Sequence, residues 1–370
     1  MLSEFNSQKI KFWSFVSMVL LVFVHGYNLN VNYLQPWTVP GEPLTFTTFT
    51  EYWLANGVLR FRIPMLFVIS GFLFAMHDSR PYGERARKRV KSLLYPYLFW
   101  SAAGLLLTFL LELVPFSRNV VEETGMMNVD ANRHFLHQFR WYEVAGSWIG
   151  SSASYQLWFI RVLLIYNLMY PWLRWCVTHR VARPLFFSFA AFMWISTSGL
   201  FFIEGEGLLF FSVGIWMQKS SFNIDAPNRW LGLKFWGPVF ILASALKTWA
   251  AFEVPFSPVE PGLLFLHKLV VISGLITAWY GGNRLVRFFM KKASFVWLSA
   301  FSFMIYAMHA PLIVYATKAL FLHMNHFPGY RLAVFFLLPL SILILVVGVA
   351  AFLRRYTPGL YGFLTGGRGF

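Results

Sequence analysis

The chain has 370 residues, with 31 Lys+Arg against 15 Asp+Glu for a net charge of +16, and it is 58% hydrophobic, 20% aromatic and only 12% charged. A soluble domain is about half apolar and about a quarter charged, and a disordered chain is poor in hydrophobic residues, so both classes are excluded. A nucleic-acid binder is disfavoured because bilayer-length apolar runs outweigh the basic residues, and the single cysteine, Cys176, excludes a disulfide framework and a Cys-based zinc site.

Apolar runs of about 20 residues predict roughly ten transmembrane helices. In chain order they lie near 12–28, 58–76, 92–114, 155–173, 184–200, 206–218, 230–250, 262–280, 294–317 and 331–353. The first follows only a short segment with Lys9 and Lys11 and has no small-residue cleavage site, which reads as a retained helix and not a signal peptide. The expected fold class is an all-α polytopic membrane protein, a single bundle of about ten helices over 1–370 with no appended soluble domain. With the N-terminus inside, the inner segments carry 21 Lys and Arg and the outer segments five, alternating through every span. That bias predicts both termini in the cytoplasm.

Five cations fall within or at the edge of the spans: Arg60, Arg62, Arg161, Lys247 and Lys268. Two histidines, His25 and His309, join them. Ionisable groups at that depth are costly and mark candidate functional sites. His25 and His309 lie roughly 20 Å into inside-to-outside helices, and Arg62 and Arg161 about one turn into helices running the other way. They converge on one level in the outer half of the bilayer, which predicts a water-filled pocket open to the outer face, with Asn28 beside His25. For Arg60, Lys247 and Lys268 the alternative is snorkelling to the headgroups. On the inner side Arg85, Arg87, Lys88, Arg89 and Lys91 crowd seven residues ahead of the third span. Such a run suits a phosphorylated ligand or a positive-inside anchor on anionic lipid. No carboxylate-histidine pattern for a metal is present.

Five segments together resemble the acyltransferase-3 family of integral-membrane acyltransferases. They are Lys11-Phe12-Trp13-Ser14 through Val24-His25, Arg62-Ile63-Pro64-Met65-Leu66-Phe67-Val68-Ile69-Ser70-Gly71-Phe72, and the basic run into Lys91-Ser92-Leu93-Leu94-Tyr95-Pro96-Tyr97. The others are Leu157-Trp158-Phe159-Ile160-Arg161 and Ser302 through Tyr306-Ala307-Met308-His309-Ala310-Pro311-Leu312. The resemblance implies transfer of an acyl group, commonly acetyl, from cytoplasmic acyl-CoA to a hydroxyl of an extracytoplasmic glycan or glycolipid, with His25 as the essential base. It further implies Arg85, Lys88, Arg89 and Lys91 on the acyl-CoA phosphates, and Asn28, Arg62, Ser70, Trp158, Arg161, Tyr306 and His309 around the pocket as substrate or oxyanion contacts. The implied location is the bacterial inner membrane, with acyl-CoA a co-substrate, no bound cofactor and no metal. Two positions depart from the family pattern: Ser14 stands where many members have Arg, and Val162 where an acid is usual. The rival reading is a transporter or lipid flippase using the same buried His/Arg pocket.

Overall fold

A computed structural model describes residues 2–27, 34–128, 133–200, 202–227, 229–254, 259–326 and 329–369. The helices that matter for the site, in chain order, are α1 (Glu4–His25), α2 (Phe46–Met76), α3 (Tyr82–Glu112), α4 (Trp158–Leu168), α5 (Ala182–Ile195), α6 (Gly205–Lys219), α7 (Leu233–Glu253), α8 (Val259–Gly281), α9 (Asn283–Met290), α10 (Ser302–Met308), α11 (Leu312–Met324) and α12 (Tyr330–Tyr356). Sheet structure among the described residues is one two-stranded antiparallel hairpin, β1 (Gly199–Leu200) and β2 (Ile203–Glu204), pairing Gly199 with Glu204.

Among the described residues six helices are long and apolar enough to cross a bilayer, or seven if α10 and α11 count as one span bent by 55°. The protein is a multi-pass, predominantly helical membrane protein, and the described helices do not confirm the expected ten spans. The runs expected at 155–173, 184–200 and 206–218 hold helices of 11, 14 and 15 residues. At about 1.5 Å per residue these are shorter than a core about 30 Å thick. The first breaks after Leu168 because Pro171 starts a new helix in its first turn. The run at 294–317 is likewise cut between Met308 and Leu312, where Pro311 caps α11.

Packing follows side-chain size. A Cβ on Gly71 or on Gly214 would collide with the backbone of the facing helix, Gly71 with Phe211 and Gly214 with Val68. These reciprocal glycines let α2 and α6 approach backbone to backbone, the usual way for helices to associate in lipid, where apolar burial alone supplies little drive. The outward faces are apolar, with Leu185, Phe189 and Phe192 of α5 and Leu337, Leu340 and Ile344 of α12 exposed at helical spacing.

Contacts bring both termini to one end with the basic run. Asn6 Nδ2 donates to Asp225 at 2.6 Å, beyond the end of α6. At the other terminus Arg368 Nη1 donates to the Ser92 carbonyl at 2.8 Å. The basic residues expected in a loop before the third span instead lie on α3, which begins at Tyr82 and runs unbroken past a π turn at Val90–Leu94. The sequence Tyr82-Gly83-Glu84-Arg85-Ala86-Arg87-Lys88-Arg89 is rich in good helix formers, with Pro81 at the N-cap position.

Candidate active site

At the opposite end of α1 a cavity of about 930 Å³ is lined by His25, Arg60, Arg62, Tyr155, Trp158, Arg161, Glu204, Glu206, His267 and Lys268, among others. His25 is the last residue of α1, whose C-cap, Gly26, returns its N–H to the Val22 carbonyl. Its Nδ1 lies 2.6 Å from the hydroxyl of Tyr155. On another side the His309 ring stacks on it, with centroids 5.3 Å apart and planes 25° apart.

Tyr155 sits on a short 3-10 turn, Tyr155–Leu157, that is pinned from both directions. Gln156 Nε2 donates to the carbonyls of Ala307 and Ala310 at 3.1 and 2.8 Å, while Tyr306 donates its hydroxyl to the Gln156 carbonyl at 2.6 Å. The same α10–α11 break therefore fixes Tyr155 and carries His309. His309 Nδ1 lies 2.9 Å from the Ile305 carbonyl, and Nε2 is buried without a hydrogen-bond partner among the described residues.

The buried cations follow from an irregularity in α2. Its middle passes through a π turn at Trp53–Gly57 and a 3-10 turn at Val58–Phe61, so the regular helical hydrogen bonds are interrupted there. Inside a membrane those groups must be met by protein. Lys247 donates to the Asn56 carbonyl at 2.7 Å and Arg62 to that of Leu59 at 2.8 Å, while Arg60 reaches outside α2 to the Leu34 carbonyl at 2.6 Å. Each arginine keeps a buried Nε with no partner among the described residues. Lys247 is fully buried beside His267, at 3.3 Å, so it does not snorkel. Lys268 is also buried, over the Trp194 ring at 4.8 Å, and Trp194 Nε1 donates to Glu206 at 3.4 Å.

The acidic wall comes from the hairpin and the start of α6. Tyr166 fixes Glu204 through both backbone groups, donating to its carbonyl at 2.8 Å and accepting from its N–H at 3.0 Å. Burial, then the neighbouring Glu206, push the Glu204 carboxyl up to about 7 against the opposing pull of Arg161.

Of the residues singled out in the sequence, His25, Arg62, Trp158 and Arg161 line this cavity. His309 stands behind His25, and the Tyr306 hydroxyl is held by Gln156 and does not line the cavity. Ser70 lies two turns further along α2, outside the lining, and Asn28 falls outside the described residues. Residues not foreseen are Tyr155, Gln156, Glu204, Glu206 and His267. The His267-Lys268 pair inside an apolar run was a readable signal, whereas nothing local marks Tyr155, 130 residues from His25.

The basic run sits far from this cavity and divides by helix face. Arg85 bonds Asp78 at 3.0 Å and lies over the rings of Phe74 and Tyr170. Asp78 also gathers Lys219 and, at 3.3 Å, Arg174, with the Tyr170 hydroxyl donating at 2.6 Å. Burial opposes ionisation of Asp78, but the hydrogen bonds from Lys219 and Tyr170 and the adjacent cations hold its carboxyl below the usual range. Arg89 lies over Phe74, while Lys88 and Lys91 are exposed. Arg368 joins from the C-terminus, its guanidinium drawn down to about 10 by burial and by Arg89.

No curated protein and no solved structure matches the chain. The family model for the acyltransferase-3 acyltransferase domain matches residues 13–352, which takes in His25, both arginine segments, the basic run and the Tyr306–His309 segment, so the chain belongs to that family and is an acyltransferase.

Proposed function

We propose that the protein is an O-acyltransferase that moves an acyl group, acetyl in the simplest case, from cytoplasmic acyl-CoA to a hydroxyl of an extracytoplasmic glycan or glycolipid. The observation that carries this reading is the placement of His25 on the wall of the ionisable cavity with its Nδ1 engaged by Tyr155. For the imidazole to act as a base, its other nitrogen must be bare. Nδ1 then carries the proton and donates it to the Tyr155 oxygen, which fixes the tautomer and leaves Nε2 to receive the acceptor proton. The acceptor oxygen attacks the thioester carbonyl as Nε2 takes its proton, and the C–S bond breaks on collapse. The imidazolium then returns the proton to the departing thiolate. Arg62 and Arg161 line the same cavity and supply N–H groups for the developing oxyanion.

The acceptor is read as a sugar because the cavity is lined by the aromatic rings of Trp37 and Trp158 between acids and cations. The donor phosphates are assigned to Lys88, Arg89, Lys91 and Arg368, since Arg85 is taken by Asp78. From Lys91 to Gly104, which abuts Ser154 next to Tyr155, α3 rises about 20 Å, the span the pantetheine arm covers in this scheme. The cation bias puts the basic end and both termini in the cytoplasm, the membrane being the bacterial inner membrane and the chain acting as one transmembrane domain. The test is the purified protein with labelled acetyl-CoA and a surface-glycan fraction. The expected result is thiol release coupled to label in the glycan, and movement of an unmodified ligand without acyl transfer overturns the reading.

A further inference from the structure

The basic end of the molecule holds a second cavity of different chemistry. About 340 Å³ in volume, it runs between α2, α6 and α8 and is lined by Ile69, Phe72, Val213, Trp216, Ile276 and Trp279 among other apolar side chains. The Trp279 N–H is already given to the Ile224 carbonyl at 2.9 Å. A pantetheine arm would bury its amides here unpaired, at a cost of about 1–3 kcal/mol each, whereas a hydrocarbon chain loses nothing.

An independent observation stands at the same wall. Lys9 is fully buried, and its Nζ has no hydrogen-bond partner among the described residues. It lies 4.4 Å from the Trp279 ring centroid and 5.4 Å from that of Tyr280, two of the rings that line the cavity. Further cations collect around it. Arg287 and Lys9 share the Phe5 ring at 5.1 and 6.0 Å, and Arg229 lies over Trp230, another lining residue, at 4.8 Å. The acids on this side are outnumbered: Asp225 attracts Lys9 and accepts from Asn6 at 2.6 Å, Glu4 stands in the first turn of α1, and the chain has no Asp or Glu after Glu260. Beyond Lys9 the cradle continues on α9, where Arg284, Arg287, Lys291 and Lys292 border a hollow of about 500 Å³ with Phe288.

An apolar cleft capped by cations in excess over acids is complementary to one class of molecule. We propose that this cleft binds one acyl chain of an anionic phospholipid of the adjoining leaflet, with the phosphate held at the Lys9, Arg229 and Arg287 end. Each cation near an anionic headgroup contributes about 1 kcal/mol, and the chain adds burial that a neutral lipid would share. This lipid site stands independently of the acyl-transfer reading.

The test reconstitutes the full-length protein in nanodiscs of equal phosphatidylglycerol and phosphatidylcholine, releases it into detergent and reads retained lipid by native mass spectrometry. One phosphatidylglycerol is expected to survive in preference to phosphatidylcholine, and Lys9→Met is expected to lower that preference about fivefold, the equivalent of one headgroup charge. Val213→Trp, which fills the cleft, removes retention of both lipids, and Leu275→Trp serves where thermal unfolding shows Val213→Trp to be damaged. Equal retention of the two lipids by the parent protein, or retention unchanged in a folded cleft-filling variant, overturns the site. Stoichiometric displacement of phosphatidylglycerol by palmitoyl-CoA also overturns it, since the occupant would then be the donor.

Discussion

The two ends of the molecule handle charge in opposite ways. At the cavity end, acids and bases are interleaved, and two of the cations are tied to backbone carbonyls that the broken α2 leaves open, Arg62 to Leu59 and Lys247 to Asn56. At the basic end a single carboxylate, Asp78, organises Arg85, Arg174 and Lys219, while Lys88 and Lys91 remain exposed. Irregular backbone therefore imports cations into the membrane at one end, and at the other an excess of cations over acids leaves charge available to an anionic ligand. The proposed function accordingly assigns chemistry to the first end, where geometry is fixed by many bonds, and donor binding to the second.

The sharpest test of that division is His25→Ala. A general base acts in the transition state, so acyl transfer should fall by about 10²–10⁴-fold while acyl-CoA binding and membrane insertion stay near those of the parent. Purified variant and parent are compared by initial rate and by donor titration. Full activity in the variant would remove the cavity from the chemistry.

Tyr155→Phe should have the next largest effect. It keeps the ring that packs edge-on against His25 and deletes only the hydroxyl at Nδ1. A hydrogen bond to a group that becomes charged in the transition state is worth about 1.5–3 kcal/mol, or roughly 10–150-fold in rate. The expected signature is a fall in kcat with KM for both substrates held. A rise in KM alone would make Tyr155 a substrate contact instead.

These two predictions also mark how far the sequence could be read. The convergence of His25, Arg62 and Arg161 was legible because the rise per residue converts chain position into depth. Their shared level needs no knowledge of which helices are neighbours. Tyr155 was not legible, since its value depends on Gln156 reaching Ala307 and Ala310 across about 150 residues. Glu204 and Glu206 were not legible either, because their place in the cavity lining comes from the hairpin and the start of α6. Fewer than ten described helices reach bilayer length for a local reason, as Pro171 and Pro311 restart helices inside runs whose apolarity is continuous. Lys247 was read as a candidate for snorkelling because the π turn that needs it lies on another helix.

The basic end is predicted to respond more mildly. Lys88→Gln, Arg89→Gln and Lys91→Gln combined should raise the apparent KM for acetyl-CoA by about tenfold, with kcat little changed, because phosphate contacts mainly bind and position. Arg85→Gln should instead lower thermal stability, since it removes one of the cations around Asp78. A donor KM that moves with Arg85→Gln and not with the triple variant would reverse the division drawn between the two faces of α3.

The smallest expected effect is a pH dependence of stability at the cavity end. Glu204 has a folded-state pKa of about 7, raised from the model-compound value of 4.5 first by burial and then by Glu206. Between those values the folded protein holds a proton that the unfolded chain has released, so stability declines as pH rises across the window. Above about 7 the folded carboxyl is ionised as well, and the decline ends. Thermal unfolding in detergent should therefore show a lower Tm at pH 8 than at pH 5.5, by a few degrees on the scale of about 2–4 °C per kcal/mol for a mid-sized chain. Glu204→Gln keeps the shape without the charge and should flatten that slope, while Glu122→Gln, at an exposed site outside the cavity, should leave it intact. A slope unchanged in Glu204→Gln would mean that the hairpin carboxylate is solvated and that the acidic wall of the cavity is open to bulk water.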